Sequence, residues 1–204
     1  MSRVGTTLAV LLAILVLASP ASAQLDAVAG VTYNTYTVEE GLGRAVQPFK
    51  SGLGFYGGVQ YWISDAVAVG AQIEHLSTGE AQITEDDDKF TSRITSLGFL
   101  ATATYHLDVS DAFYVRPFLG AGVYKAQWKF TAKGQDETAT FETKPSFAAK
   151  LGAQVGTDIT SNLSVTGVVG YRFVSDLKLK DGEGEMDWFS LTGLTFGGGL
   201  TYHF

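Results

Sequence analysis

The run Leu194-Thr195-Phe196-Gly197-Gly198-Gly199-Leu200-Thr201-Tyr202-His203-Phe204 decides how this chain folds. Leu194, Phe196, Leu200, Tyr202 and Phe204 share one parity, interrupted only by Gly198. Thr195, Gly197, Gly199, Thr201 and His203, all small or polar, take the other. Side chains of a strand alternate between its two faces, so this is a strand with one apolar and one polar face.

The same period of two recurs along the chain. Eight alternating segments can be cut, at roughly 26–36, 53–63, 67–76, 94–107, 113–126, 147–159, 163–175 and 191–204. In the second, Leu53, Phe55, Val59, Tyr61 and Ile63 oppose Tyr56, Gln60 and Trp62. In the fifth, Phe113, Val115, Leu119, Ala121 and Val123 oppose Tyr114, Arg116 and Tyr124. The seventh sets Leu163, Val165, Val169, Tyr171 and Phe173 against Ser164, Thr166 and Arg172. Segments of this length suit the 9–11 residues that cross a bilayer as tilted strands. The reading is all-β: an eight-stranded antiparallel up-and-down transmembrane β-barrel, apolar parity toward lipid and mixed parity inward.

The connections carry an independent signal. Residues 64–66, 108–112 and 160–162 are short links, whereas 37–52, 77–93, 127–146 and 176–190 are long. Short and long alternate strictly, as short periplasmic turns and long outer loops do. A soluble lipocalin-type barrel would turn its apolar parity inward. Here the opposite parity is rich in Gly and Thr, too small and polar for such a core. Tyr61, Tyr105, Phe113, Tyr202 and Phe204 are expected to form a lower aromatic girdle. Phe49, Trp128, Phe130, Phe141, Trp188 and Phe189 are expected to form an upper one. Pro117 lies within a strand and removes a ladder donor, so a local bulge is expected there.

Residues 1–23 read as a secretory signal peptide. Arg3 supplies the positive start, residues 8–18 (LAVLLAILVLA) the apolar run, and Ala21-Ser22-Ala23 the cleavage site. Residues 24–204 are then the barrel. The hydrophobic fraction is 46%, yet after residue 18 no apolar run approaches the ~20 residues of a membrane helix. With no Cys there is no disulfide or thiolate chemistry. A net charge of −7 argues against a nucleic-acid partner.

The fold plan, the segment Val115-Arg116-Pro117-Phe118-Leu119-Gly120-Ala121-Gly122-Val123 and the ending Tyr202-His203-Phe204 resemble the OmpA/OmpX-like outer-membrane β-barrel superfamily. The resemblance covers residues 24–204. It implies a monomer in the bacterial outer membrane, exported through the cleaved signal peptide, with lipid and lipopolysaccharide around it. It also implies that Tyr202 and Phe204 act as a signal read by the barrel-assembly machinery. Ending at Phe204, the chain is expected to lack a wall-binding domain.

Eight strands enclose a space that side chains can fill. The inward polar set is Gln60, Gln72, Glu74, Arg116, Lys150, Asp158 and Arg172. Buried charges must be paired. Counting from the periplasmic ends suggests a lower Arg116–Asp158 pair and an upper cluster of Glu74 with Lys150 and Arg172. Such a plug excludes an open general porin. The expected role is structural, or interaction with an extracellular partner through the loops 37–52, 77–93, 127–146 and 176–190. No catalysis or cofactor is expected. One alternative is a narrow conduit for small apolar molecules, OmpW-like. The other is a lipid A-modifying hydrolase in which His75 and Ser77, on one strand face, work with a nearby acid such as Glu80 or Glu85. The acidic run 84–89 reads as a solvated loop, or as a weak Ca²⁺ or Mg²⁺ site.

Overall fold

The computed structural model describes residues 24–38, 48–85, 88–110, 112–132, 138–180 and 188–204. The expected signal peptide, 1–23, lies outside them, as do the side chains of the acidic run 84–89. Alternating Val, Thr, Tyr and Phe build eight long strands among the described residues. They are β1 (Leu25–Thr35), β2 (Ser51–Trp62), β3 (Val67–Ser77), β4 (Asp88–Tyr105), β5 (Tyr114–Ala132), β6 (Ser146–Thr160), β7 (Leu163–Val174) and β8 (Gly193–His203). Each pairs antiparallel with the strands before and after it in sequence. Asp26 lies opposite His203 and Asn34 opposite Thr195, so β1 and β8 close the barrel. Closure leaves no edge within the bilayer, where an unpaired backbone group would cost several kcal/mol.

Parity follows the sequence reading. Leu53, Phe55, Phe99, Leu119, Leu151, Phe173 and Leu200 are exposed on the outer face. Gln60, Glu74, Arg116, Lys150, Thr166 and Arg172 are buried on the inner one. Narrowness makes small inward residues necessary: a Cβ at Gly98 would collide with the ring of Tyr124, and one at Gly156 with Tyr114. The lower turns are built by side chains. Ser64 Oγ accepts from Val67 N at 3.1 Å, and Ser110 Oγ from Phe113 N at 3.2 Å. Asn162 Nδ2 donates to the His203 carbonyl at 2.9 Å, tying the last turn to the last strand.

Three expectations need correction. Pro117 causes no bulge, since it stays in register opposite Ala153. Instead the β4 ladder lapses beside it after Thr104–Phe118 and resumes in the same register at Leu107–Val115 in the short strand Leu107–Asp108. The register shift that does occur lies between Asp158 and Thr160, next to a turn.

The segments 77–93 and 127–146 are not simply loops. The β4–β5 ladder continues up to Phe90–Ala132. Short strands Ala81–Glu85 and Thr138–Glu142 flank it, making a four-stranded sheet that rises beyond the apolar band. Alternation in a polar key (Thr91, Arg93, Thr95 outward; Ser92, Ile94, Ser96 inward) sustains these strands outside lipid.

Of the expected upper girdle, Phe141 is exposed, but Phe49, Trp128, Trp188 and Phe189 do not face lipid. Phe49 and Phe189 are buried with Tyr36, Leu76, Ile94, Leu177 and Leu191 in a hydrophobic cluster over the outer mouth. Trp128 and Trp188 pack against it, their rings 5.0 Å apart. Burial of one another's rings is worth more to these side chains than the interface. The lower group does face outward, with Tyr105, Phe113, Tyr202 and Phe204 exposed.

Candidate functional site

The barrel interior holds two polar networks. The upper one centres on Glu74 of β3, only 2% exposed. Its Oε1 accepts from Lys150 Nζ of β6 and from Gln72 Nε2 at 2.6 Å. Its Oε2 accepts from Tyr124 OH of β5 and lies 3.8 Å from Arg172 NH1 of β7. Arg172 is fully buried. It donates to the Leu191 carbonyl at 2.9 Å and to Asn34 Oδ1 at 3.2 Å. Lys150 and Arg172 are direct cross-strand partners, so their mutual repulsion depends on Glu74 for relief. One carboxylate thus ties four of the eight strands together across the lumen.

The lower network centres on Asp26 of β1, also fully buried. Its Oδ1 bonds His203 Nδ1 at 2.7 Å, and its Oδ2 accepts from Trp62 Nε1 at 2.8 Å. Arg116 NH1 lies 3.6 Å from Oδ2. The guanidinium also stacks on the rings of Trp62 and Tyr114, at 4.7 and 4.2 Å, and donates to His106 Nδ1 at 2.8 Å. Cation–π contact of this kind holds Arg in place without a second carboxylate. His203 Nε2 meets Ser164 Oγ at 2.6 Å, and that hydroxyl bonds Asp158 Oδ1 at 2.5 Å.

The structure therefore brings together Gln72, Glu74, Lys150 and Arg172. It does not pair Arg116 with Asp158. Arg116 sits opposite Gln154, while Asp158, its side chain 64% exposed, stays at the rim. Gln60 is separate from both networks and donates to Thr104 Oγ1 at 3.3 Å. Sequence reasoning missed Asp26 and the partnership of His203. The signal was present: Asp26 and His203 are both on the inward parity, near the two ends of neighbouring strands.

The order Asp26–His203–Ser164 has the connectivity of a nucleophile relay. Ser164, however, is fully buried and its hydroxyl is engaged by Asp158. Nor is the His75–Ser77 pair assembled. Ser77 Oγ donates to the Thr78 carbonyl at 3.2 Å, and Glu80 is taken by Arg93 at 3.2 Å. Both networks place paired charge across the lumen under an apolar cap, though Arg116 NH1 and Arg172 NH2 are buried without a hydrogen-bond partner among the described residues.

A closed eight-stranded barrel with a lipid-facing apolar band and a charged interior defines an outer-membrane β-barrel protein. The chain belongs to the outer membrane protein beta-barrel domain family, whose model matches residues 6–204. Solved structures of similar fold include a major outer membrane protein of Thermus thermophilus. It has a TM-score of 0.59 and 13% identity, over 90% of this chain and 100% of that one. OprG of Pseudomonas aeruginosa gives 0.57 and 12%, over 89% and 95%. Ail of Yersinia pestis, solved with the heparin analogue sucrose octasulfate, gives 0.55 and 13%, over 89% and 99%. At these identities the likeness is one of fold. No curated protein matches the chain.

Proposed function

We propose that the protein is a sealed, non-catalytic barrel that supports the outer membrane and offers its projecting sheet to a partner outside the cell. The observation that supports this reading is the combination of charged side chains paired across the barrel interior and a sheet extended beyond the apolar band. Among the described residues, Ala81–Glu85 pairs on one side only, with β4. A free strand edge is a ready template for an added strand from another chain. Thr138–Glu142, at the opposite edge, is partly covered, since Lys180 N donates to the Glu142 carbonyl at 2.8 Å. Among the described residues, that leaves the Ala81–Glu85 side as the edge without a second paired strand. The binding of a heparin analogue by Ail, a protein of similar fold, is consistent with this kind of role. The reading prefers neither the conduit nor the hydrolase, because Glu74, Lys150, Arg172, Asp26 and Arg116 reach across the interior and Ser77 Oγ donates to the Thr78 carbonyl.

The test is a deletion strain complemented with the full chain, or with a chain in which residues 82–91 are replaced by a short Gly-Ser turn. Both should restore resistance to detergent, the envelope function. Only the full chain should restore attachment to surfaces or host matrix. If neither restores either property at matched surface levels, the proposal fails.

Assembly forms part of the same proposal. Tyr202 and Phe204 stand outward at the periplasmic end with their rings 4.9 Å apart. Phe204 N donates to the Leu25 carbonyl at 3.0 Å. They are offered as the signal that the barrel-assembly machinery reads.

A further inference from the structure

The donors and acceptors of the lower network fix the protonation of its two histidines. An ionised carboxylate only accepts hydrogen bonds, an arginine only donates, and a serine hydroxyl has one proton to give. Ser164 gives its proton to Asp158 Oδ1 at 2.5 Å. Its oxygen, 2.6 Å from His203 Nε2, must then accept from that nitrogen. His203 Nδ1 lies 2.7 Å from Asp26 Oδ1, on a carboxylate that also accepts from Trp62 and faces Arg116. Both ring nitrogens of His203 therefore carry protons, and the ring is a cation between two carboxylates.

His106 is the reverse case. Its Nδ1 accepts from Arg116 Nε at 2.8 Å, so that nitrogen holds no proton. Its Nε2 faces Asp108 Oδ1 at 2.9 Å and donates to it. The ring is neutral. A second proton would have to enter at Nδ1, where it would displace the Arg116 bond and set two cations side by side.

Every neighbouring element contributes to this balance. His203 faces Asp26 from β1, Ser164 from β7 and Asp158 from the end of β6, with Arg116 of β5 beyond Asp26. His106 faces Arg116 and Tyr114 from β5, Trp62 from β2, and Asp108 two residues on. The side chains of Asp158 and Asp108 are 64% and 84% exposed, so both rings are linked by hydrogen bonds to water at the periplasmic end. His203 is also the direct partner of Asp26 across the seam where β1 and β8 close the barrel. Along their strands Val28, Phe118 and Val168 lie between the lower and upper networks. With Tyr56 they form a buried apolar layer.

We propose that His203 and His106 make the lower end of the barrel a two-sided proton switch. It is firm while His203 is charged and His106 neutral, and it loosens when either state changes. Rising pH takes a proton from His203, so Asp26 or Ser164 loses its donor and β8 is held less firmly to β1 and β7. Falling pH charges His106, which repels Arg116 from its place between Trp62 and Tyr114. The contribution of His203 is thus lost as pH rises and that of His106 as pH falls. The apolar layer confines the loosening to the lower end. The inference is independent of any partner for the projecting sheet.

Nitrogen-15 NMR of the full refolded barrel in detergent, with labelled histidine, reads the ring states. At neutral pH His203 should show two protonated nitrogens and His106 one, at Nε2. Backbone hydrogen exchange, expressed as protection relative to the unfolded chain, then follows the consequence from about pH 5 to about pH 9. Protection at the lower ends of β1, β7 and β8 should be greatest near neutrality. It should fall about tenfold on either side, the factor that one lost charge-assisted hydrogen bond carries. Protection around Asn34 and Arg172, above the apolar layer, should hold throughout. His203→Gln should abolish the alkaline fall and keep the acid one, and His106→Gln should do the converse. A neutral His203 or a charged His106 at neutral pH would overturn the proposal, as would protection that is flat on both sides. Loss around Asn34 in step with the lower end would overturn the local switch. Should a variant fail to refold, the ring states and the exchange profile of the wild type decide.

Discussion

Glu74→Ala is expected to lower the stability of the folded barrel by about 3–5 kcal/mol, somewhat less where water reaches the lumen. The cause is not chiefly the loss of attraction. Removing the carboxylate strands Lys150, 4% exposed, next to the fully buried Arg172, its direct cross-strand neighbour. It also leaves the Tyr124 hydroxyl without its acceptor. The check is urea unfolding of the protein folded into lipid vesicles, read as a lower midpoint. A double change, Glu74→Ala with Lys150→Met, should recover part of the loss, because the stranded ammonium goes with its partner. An unfolding midpoint for Glu74→Ala equal to wild type would mean that Glu74 does not carry the plug.

Phe204→Asp should cut the amount of assembled barrel in cells severalfold while leaving the folded protein nearly as stable. Phe204 is 70% exposed on the outer face at the periplasmic boundary. A charge on the lipid face near the interface costs only about 0–1 kcal/mol. A loss much larger than that in cells, with ordinary refolding of the purified variant, points to recognition during assembly. Pulse-labelled synthesis, outer-membrane fractionation and refolding into vesicles would be measured together. Normal outer-membrane levels would remove Phe204 as a signal. An equally large loss in vitro would reduce its role to lipid burial.

Which residues face lipid was legible in the sequence because a membrane barrel imposes one rule on every strand. The period of two in Leu194–Phe204 or Leu163–Phe173 has no other simple reading once the apolar parity is the larger one. The tops of β4 and β5 were less legible. Past Leu97 and Val123 the outward residues become Thr, Arg and Lys, and a reading based on lipid contact stops there. The strands continue because paired backbone and the inward Ile94, Tyr124 and Trp128 still favour a sheet.

Interior partners were legible only where the register happens to align them. Lys150 and Arg172 are direct neighbours, and Glu74 reaches them across the lumen. Arg116 and Asp158 were matched by counting from strand ends, which ignores the stagger of a barrel. The true register puts Arg116 opposite Gln154, four residues from Asp158, or about 13 Å along the strand. Asp26, coming from β1, fills the place instead.

The central claim is that the lumen is sealed by these two networks. Single-channel recording of the wild-type protein in planar bilayers tests it most directly, with Glu74→Ala beside it. A silent wild type, with brief small openings in Glu74→Ala, is the predicted result. A steady, long-lived conductance in the wild type would contradict it.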